Sequence, residues 1–318
     1  MNYILAMVVS LIIALITMPF LMKLASKLHF TDKPNKRKQH KKPTPLCGGI
    51  ALYIGFFISY FIFVRVRDGF HQQITVFMAA TMIVLIGLID DWYKTKGKEF
   101  KILPRLVIQL LSAVLVFKAG IVFEGFTNPI TGIFIELNPT IQFFLTITWI
   151  FGVTTVINWS DGMDGLAGGL SLISAITFFL AAIILSQPES ALVSIILAGA
   201  ILGFLYYNKY PAKVFMGDSG ANFLGFILSI TALDGAFKQA TVLSLFIPIL
   251  ALAVPIFDNL FVIFKRFSEG KPVYQADRSQ IHFRLEEKGF STVQIINYIM
   301  VMSFTFSAIS IVLLLIKR

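Results

Sequence analysis

The sequence has little charge and almost no cysteine. Charged residues make up 14% of its 318 positions, whereas hydrophobic residues make up 57%. Because about a quarter of the residues in a soluble domain are usually charged, a chain with a mean hydropathy of +0.81 is too apolar to be one. The single cysteine, Cys47, excludes an intrachain disulfide. These shortages indicate a polytopic membrane protein.

The N-terminal apolar run, residues 4–22, has no Lys or Arg before it, and its first lysine is Lys23. A secretory leader carries its positive charge ahead of the apolar stretch, so we interpret this run as a retained membrane span. The net charge of +10 does not indicate a nucleic-acid partner, because the basic residues alternate with apolar runs instead of forming one basic face.

Ten apolar runs have roughly the length needed to cross a bilayer. We therefore predict an all-α fold of about ten transmembrane helices, folded as one domain over residues 1–318. The runs lie near residues 2–22, 46–64, 73–89, 102–121, 139–157, 167–187, 191–207, 219–234, 240–264 and 292–316.

Lys and Arg are distributed unequally over the connections between these runs. Residues 23–42, 94–105, 209–213 and 265–288 hold 21 of the 27 basic residues. The positive-inside rule predicts that these segments face the cytoplasm and that both termini face outward. Six acids fall on the same predicted side, namely Asp90, Asp91, Asp161, Asp164, Asp218 and Asp277. The outer connection at residues 122–139 has the turn residues of a small hairpin.

Asp90 and Asp91 end the third apolar run and are followed by Trp92, Tyr93 and Lys94. Adjacent carboxylates can bind a hard divalent cation, or one can act as a base while the other holds the metal. The alternative is a solvated helix end with two aromatic anchors at the membrane interface.

A second polar run, residues 158–169, joins the fifth and sixth apolar segments and contains Asn158, Asp161 and Asp164 among glycines. The two acids would share a helical face, and the glycines permit close backbone approach. An ordinary turn between helices does not need two acids, so we interpret this run as functional.

The third polar run, residues 208–220, includes Asn208, Phe215 and Asp218 and precedes the eighth apolar segment. Asp218 lies near a helix start, where backbone amides can bind phosphate. Phe215 could stack on a base or anchor the chain in the membrane. Three acidic runs with nearby lysines predict one site for Mg²⁺ and a diphosphate.

The basic segment at residues 265–288 contains Arg278, His282 and Arg284, which could bind phosphate, although a lone histidine is usually structural. Asp258, after Pro255, is a buried-acid candidate that a kinked helix explains almost equally well. Most charges of residues 33–42 are expected to orient the chain and contact anionic lipids.

Together these motifs make the chain resemble the polyprenyl-phosphate N-acetylhexosamine-1-phosphate transferases, a family of integral membrane enzymes. The resemblance covers nearly the whole chain. It rests on residues 43–49, Asp90 with Asp91, residues 158–165 and 211–220, and the His282 segment. Pro43-Thr44-Pro45 and the Asp277-Arg278-Ser279 start are more similar to the bacterial WecA/TagO branch, which uses UDP-N-acetylglucosamine.

The resemblance implies transfer of a sugar 1-phosphate from a UDP-sugar to undecaprenyl phosphate at the bacterial cytoplasmic membrane, with Mg²⁺, or alternatively Mn²⁺, as cofactor. It implies that Asp90, Asp91 and Asp218 bind metal and act in catalysis with His282. The implied substrate-binding residues are Lys41, Lys94, Lys98, Arg105, Asn158, Asp161, Asp164, Asn208, Phe215, Arg278 and Arg284.

The chain departs from this family in one segment. The His-Ile-His-His usual in the WecA/TagO branch is replaced by Gln280-Ile281-His282-Phe283, which leaves open the donor sugar and any role that requires a second histidine. Whether the protein forms a homodimer is also open. An ion-coupled transporter is the alternative function, and it predicts acids near the middle of the membrane and paired broken helices.

Overall fold

The computed structural model describes residues 2–32, 43–64, 70–128, 131, 133–235, 242–272 and 277–316. Within these residues the chain forms twelve helices and two short strand pairs. The helices are α1 (Tyr3–Lys27), α2 (Gly48–Phe63), α3 (Phe70–Thr95), α4 (Ile102–Lys118), α5 (Pro139–Trp159), α6 (Leu166–Ile184), α7 (Pro188–Asn208), α8 (Gly217–Asp234), α9 (Val242–Ala251), α10 (Ala253–Ser268), α11 (Ile281–Glu287) and α12 (Thr292–Ile316).

Both strand pairs are antiparallel. β1 (Thr31–Asp32) pairs with β2 (Thr44–Pro45), and β3 (Gly125–Thr127) pairs with β4 (Phe134–Glu136). The second pair confirms the hairpin predicted between the fourth and fifth apolar runs.

Helix α8 is the centre of the fold. Its residues from Gly217 to Leu233 are buried, apart from the partly exposed Asp218. It packs against α2, α3, α5, α6 and α7, while α1 packs on α7 and α12 packs on α6 and α9. An apolar helix buried on every side must lie inside the bundle, so α8 brings the surrounding helix ends to a common point.

The outer surface is apolar. Ile16, Phe20, Phe264, Phe304 and Ile316 are each at least 66% exposed, as expected where side chains face lipid. Six helices, α1, α3, α5, α6, α7 and α12, are long and apolar enough to cross a membrane, and α2 is a shorter apolar helix. The described residues therefore form an all-helical, polytopic membrane protein.

The prediction of a single ninth span was wrong in one respect, because the chain forms two helices there. α9 ends at Ala251 and α10 begins at Ala253. Pro255 has no N–H to donate to the carbonyl of Ala251, and the Ser174 hydroxyl of α6 donates to that carbonyl instead, at 2.7 Å. The proline thus ends one helix, and a serine satisfies the group that it leaves unpaired.

Candidate active site

Two acids and two bases from three helices meet at the start of α8. We call Asp90, Lys94, Arg105 and Asp218 the charge cluster. Lys94 Nζ lies 2.6 Å from Asp218 Oδ1 and 3.8 Å from Asp90 Oδ2. Arg105 Nη1 lies 2.5 Å from Asp90 Oδ2 and 3.4 Å from Asp218 Oδ2. Each base therefore contacts both acids.

Helix periodicity and helix ends produce this arrangement. Asp90 and Lys94 are four residues apart near the end of α3, so they share one face of that helix. Arg105 lies in the first turn of α4, and Asp218 lies in the first turn of α8. The positive end of the α8 dipole favours a carboxylate at that position. The cluster is partly open, because the Lys94 side chain is 41% exposed and that of Arg105 29%.

Asp91, next to the cluster, is fully buried and caps α8. Its Oδ1 accepts a hydrogen bond from the Asp218 N–H at 2.8 Å. Its Oδ2 accepts from the Ser219 N–H at 3.1 Å and from the Ser219 hydroxyl at 2.9 Å. A Cβ on Gly217, which has a φ of 71°, would lie 2.4 Å from Asp91 Oδ2. Both carboxylate oxygens of Asp91 therefore accept hydrogen bonds from the start of α8.

Asp161 lies in the connection between α5 and α6, within electrostatic reach of the cluster. Burial, and next the negative charge of Asp218, raise the pKa of Asp161 to about 7 against the opposing effect of Lys94. The Asp161 segment thus places a third acid within electrostatic reach of Asp218 and Lys94.

Asn208 and Asp164 join two of the polar runs to each other. Asn208 Oδ1 accepts from the Gly165 N–H at 3.0 Å, and its Nδ2 donates to the Val214 carbonyl at 2.8 Å. Asp164 Oδ2 accepts from the Ala212 N–H at 2.9 Å. These two side chains hold the connections together, so they position the site.

Phe215 and Asn158, both predicted to bind substrate, lie in environments that differ from each other. The Phe215 N–H donates to the Pro45 carbonyl at 2.8 Å, and its carbonyl accepts from the Gly48 N–H at 3.0 Å. These bonds fix the Phe215 backbone against the Pro-rich segment before α2. The Nδ2 of Asn158 is buried and has no hydrogen-bond partner among the described residues. An unpaired buried amide is costly, so Asn158 is the better marker of a ligand position.

The segment at residues 277–287 is fastened to α10 by two ion pairs. Arg266 is buried and binds Asp277 through two bonds, Nε to Oδ2 at 3.1 Å and Nη2 to Oδ1 at 2.9 Å. Arg266 lowers the pKa of Asp277 to about 2. Asp258 accepts the Ile281 N–H and pairs with Arg284 Nη2 at 2.7 Å. Asp258 therefore caps α11, and its burial has a structural explanation.

His282, at the start of α11, is 3% exposed and packs on the Asp161 segment. A Cβ on Gly162 would lie 2.3 Å from His282 Nε2, so only glycine permits this contact. Burial, and next the charge of Arg278, lower the pKa of His282 to about 4. The ring is therefore neutral at pH 7, and its Nε2 has no hydrogen-bond partner within the described ranges.

The other predicted basic residues lie outside the charge cluster. Arg278 is 62% exposed and pairs with Glu286 Oε2 at 2.6 Å, and Arg284 is committed to Asp258. Lys98 is exposed on the loop after α3, and in the part of the chain that the structure describes no ion pair links it to the acids. Lys41 lies outside the described residues.

Arg266, Ser219 and Gln280 were not predicted as site residues. Arg266 clamps Asp277, Ser219 holds Asp91, and Gln280 Nε2 donates to the Trp159 carbonyl at 2.9 Å. Each bond joins residues that are not neighbours on one helix face, so no periodic sequence signal marks them. One indication of these contacts is present in the sequence, namely that Gln280 replaces a histidine of the usual motif.

The charge cluster fits a magnesium ion. Among the described residues no group of three or more His, Cys, Asp and Glu side chains could enclose a metal. Mg²⁺, however, is commonly held by one or two carboxylates plus substrate phosphates. Oxygens of Asp90 and Asp218 converge on one nitrogen of Arg105, so a single cation can reach both.

Comparison with known proteins agrees with this architecture. The model of "Glycosyl transferase family 4" matches residues 73–236. The chain is 37% identical, over 97% of its length and 84% of the relative's, to a probable undecaprenyl-phosphate N-acetylglucosaminyl 1-phosphate transferase of Bacillus subtilis. It is 30% identical to a phospho-N-acetylmuramoyl-pentapeptide-transferase of Desulforamulus reducens, over 95% of the chain and 92% of the relative.

A third relative is the undecaprenyl-phosphate alpha-N-acetylglucosaminyl 1-phosphate transferase of Escherichia coli. It is 27% identical over 86% of the chain and 74% of the relative. The family match spans α3 to α8, which include the three helices that supply the charge cluster. These matches confirm the resemblance inferred from the motifs and the membrane localisation. The chain belongs to glycosyl transferase family 4 and is a multi-pass protein of the bacterial cytoplasmic membrane.

Proposed function

We propose that this protein transfers N-acetylglucosamine 1-phosphate from UDP-N-acetylglucosamine to undecaprenyl phosphate, as the first membrane step of a cell-envelope glycan pathway. The products are UMP and undecaprenyl-diphospho-N-acetylglucosamine. The observation that carries the proposal is the charge cluster, in which two carboxylates and two bases from α3, α4 and α8 share one position.

The names of the relatives support the donor. The B. subtilis and E. coli proteins are both named for N-acetylglucosaminyl 1-phosphate transfer to undecaprenyl phosphate. The first has the highest identity of the three compared and covers almost the whole chain. The D. reducens relative is named for transfer of a phospho-N-acetylmuramoyl-pentapeptide, so UDP-N-acetylmuramoyl-pentapeptide is the alternative donor.

The reaction requires two anions to approach each other. An oxygen of the lipid phosphate forms a bond to the sugar-bearing phosphorus of the donor, and the bond from that phosphorus to the bridging oxygen breaks, releasing UMP. Lys94 and Arg105 are placed to neutralise the phosphate oxygens, which lowers the repulsion and orients the groups for in-line attack. We propose direct attack by the lipid phosphate; a phospho-aspartyl enzyme trapped without lipid would contradict this.

Asp90 and Asp218 would hold Mg²⁺, or Mn²⁺ in its place. The ion, when bound, supplies positive charge at the phosphate oxygens. We propose that Asp91 acts through Asp218, because its carboxylate accepts the Asp218 and Ser219 N–H groups and so fixes the backbone at the start of α8. The catalytic and metal-binding role that the resemblance implies for Asp91 stays a prediction.

Asn158, Asp161 and Phe215 are proposed to contact the nucleotide sugar, with Phe215 against the uracil ring. Asn208 and Asp164 keep these residues in place through their bonds to Gly165 and Ala212. We propose that His282 serves as a neutral group near the donor, since its pKa lies near 4. Arg278, Arg284, Lys98 and Lys41 stay predictions as substrate ligands.

The distribution of Lys and Arg supports a cytoplasmic site with both termini outside. A cytoplasmic position gives UDP-sugars direct access, while the lipid phosphate arrives from the bilayer. We also propose that residues 1–318 form one transferase domain, because α8 contacts helices from both halves of the chain.

The transporter alternative is less well supported. It predicts acids near the middle of the spans, whereas Asp90 and Asp218 lie at helix ends. The family is also one of transferases.

The decisive assay uses membranes or purified protein with undecaprenyl phosphate and Mg²⁺. UMP release is measured in parallel with UDP-N-acetylglucosamine, UDP-N-acetylgalactosamine and UDP-N-acetylmuramoyl-pentapeptide. We expect UMP and a lipid-linked sugar with the first donor. Product only with the pentapeptide donor would move the protein to the other branch, and solute flux without UMP would refute transfer.

A further inference from the structure

The end of α5 is held by a residue from a distant part of the chain. Trp159 is the last residue of α5, and the carbonyl groups at a helix C-terminus have no donor within their own helix. The Trp159 carbonyl accepts a hydrogen bond from Gln280 Nε2 at 2.9 Å. This contact lies directly between Asn158 and Asp161.

Gln280 is itself fixed on both sides by carboxylates. On one side Asp277, clamped by the buried Arg266, accepts the Ser279 N–H at 3.0 Å. On the other side Asp258 of α10 accepts the Ile281 N–H at 2.9 and 3.0 Å. The backbone around Gln280 is thus attached to α10, and its side chain connects α10 to the end of α5.

Two further contacts place the same segment against the Asp161 connection. The Arg266 guanidinium lies over the Trp159 ring at 5.2 Å. The His282 ring occupies the space that a side chain at Gly162 would need. The segment therefore supports the polar run from Trp159 to Gly162 at both of its ends.

We propose that Gln280 is a positioning residue for the nucleotide-sugar donor. Its side-chain amide fixes the end of α5 and thereby sets the positions of Asn158 and Asp161. This inference rests on the proposed function, in which those two side chains contact the donor. The charge cluster is held by α3, α4 and α8, so loss of the Gln280 bond should weaken donor binding far more than it slows phosphoryl transfer.

The test replaces the amide donor by a group that donates only when protonated. In Gln280→Glu a carboxylate faces the Trp159 carbonyl at pH 8.0 and cannot donate. At pH 5.0 a partly buried glutamic acid, whose pKa is raised by burial above its ordinary value of about 4.3, donates through its hydroxyl. Gln280→Leu cannot donate at either pH, and Gln280→His keeps an N–H donor.

We expect the KM for the UDP-sugar in Gln280→Glu, divided by that of the wild type at the same pH, to be raised about tenfold at pH 8.0 and about twofold at pH 5.0. For Gln280→Leu this KM ratio should be raised about tenfold at both pH values. For Gln280→His it should stay within about threefold at pH 8.0. The kcat and the KM for undecaprenyl phosphate should change less than about threefold in each.

The ratio to the wild type removes the titration of neighbouring groups that both proteins share. The charged and titratable groups around position 280 are Asp161, Asp258, Arg266, Asp277, Arg278, His282 and Arg284. The matched control is Gln294→Glu, which makes the same change at an exposed residue in the first turn of α12. It should follow the wild type at both pH values.

The outcomes separate the two proposals. If the wild type releases no UMP from any UDP-sugar, the proposed function fails and this inference fails with it. If the wild type is active and Gln280→Glu shows no rise in KM, or the same rise at both pH values, only the inference is overturned. A fall in kcat without a change in donor KM would overturn it as well.

Discussion

The charge cluster and the Asp277–Arg266 clamp both pair aspartates with basic side chains but differ in how the charges are shared. In the clamp one acid meets one base through two well-aligned bonds, and the Arg266 side chain is 4% exposed. In the charge cluster each base contacts two acids, at distances from 2.5 to 3.8 Å, and Lys94 and Arg105 reach the surface. One-to-one pairing satisfies both partners, whereas shared pairing leaves capacity for another ligand. The comparison therefore separates a structural ion pair from a candidate catalytic one.

The largest effect is expected at Asp218. Asp218→Asn removes a proposed metal ligand and the partner of Lys94, so UMP release should fall at least about 1,000-fold, while the melting temperature in detergent changes little. Asp234→Asn, the same substitution at the other end of α8, is the control and should retain activity within about threefold. Similar losses in both variants would show that the helix, and not the cluster, was damaged.

A substitution in the Asp277–Arg266 clamp should instead lower stability more than activity. Arg266→Met leaves Asp277 without its partner, and breaking a buried ion pair costs about 3 kcal/mol or somewhat more, so the melting temperature should drop clearly. Adding Asp277→Asn removes the unpaired charge and should restore part of the loss. If Arg266→Met were stable but inactive, the clamp would belong to the catalytic machinery, and it would no longer differ in role from the charge cluster.

Lys94→Met tests whether the shared bases act on phosphate. We expect kcat/KM for UMP release to fall about 100-fold, or about 2.7 kcal/mol, because one of two neutralising charges is lost. Lys118→Met, in the last turn of α4, makes the same charge change away from the cluster. A loss below threefold at Lys94 would leave Arg105 as the only base needed.

His282 gives the smallest effect, visible as a pH dependence of stability. Its folded pKa of about 4 lies below the ordinary 6.5, so the unfolded chain binds the extra proton and stability falls as the pH drops through this interval. At pH 5 this protonation lowers the free energy of unfolding by on the order of 2 kcal/mol. Between pH 7 and pH 5 the melting temperature should therefore drop less for His282→Gln than for the wild type.

The control for this series is His71→Gln, at an exposed histidine near the start of α3. Its melting curve should follow that of the wild type at every pH. If the melting temperatures of His282→Gln and the wild type drop equally between pH 7 and pH 5, the conclusion that His282 is buried and neutral is wrong.

Most helices could be predicted, since long apolar runs leave few alternatives in a membrane. The tenth run, at residues 292–316, coincides with α12. The break at Leu252 was missed because it depends on Ser174, far away in the sequence, which pairs the carbonyl that Pro255 leaves unpaired. The gathering of Asp90 and Asp218 was predicted from their position at helix ends on one side. The separate tasks of Asp90 and Asp91 were not, because adjacent identical residues give no sequence signal of which one faces inward.

The sequence alone indicated the membrane environment of this protein, its helical class and its family, because composition and motif spacing limit these directly. The tertiary structure decided which charges share partners. It made Asp218 a member of an open cluster, turned Asp91 into a helix cap and used Gln280 to hold the end of α5. Such contacts form between segments up to 128 residues apart, and only the packing of α3, α5, α8 and α10 brings them together.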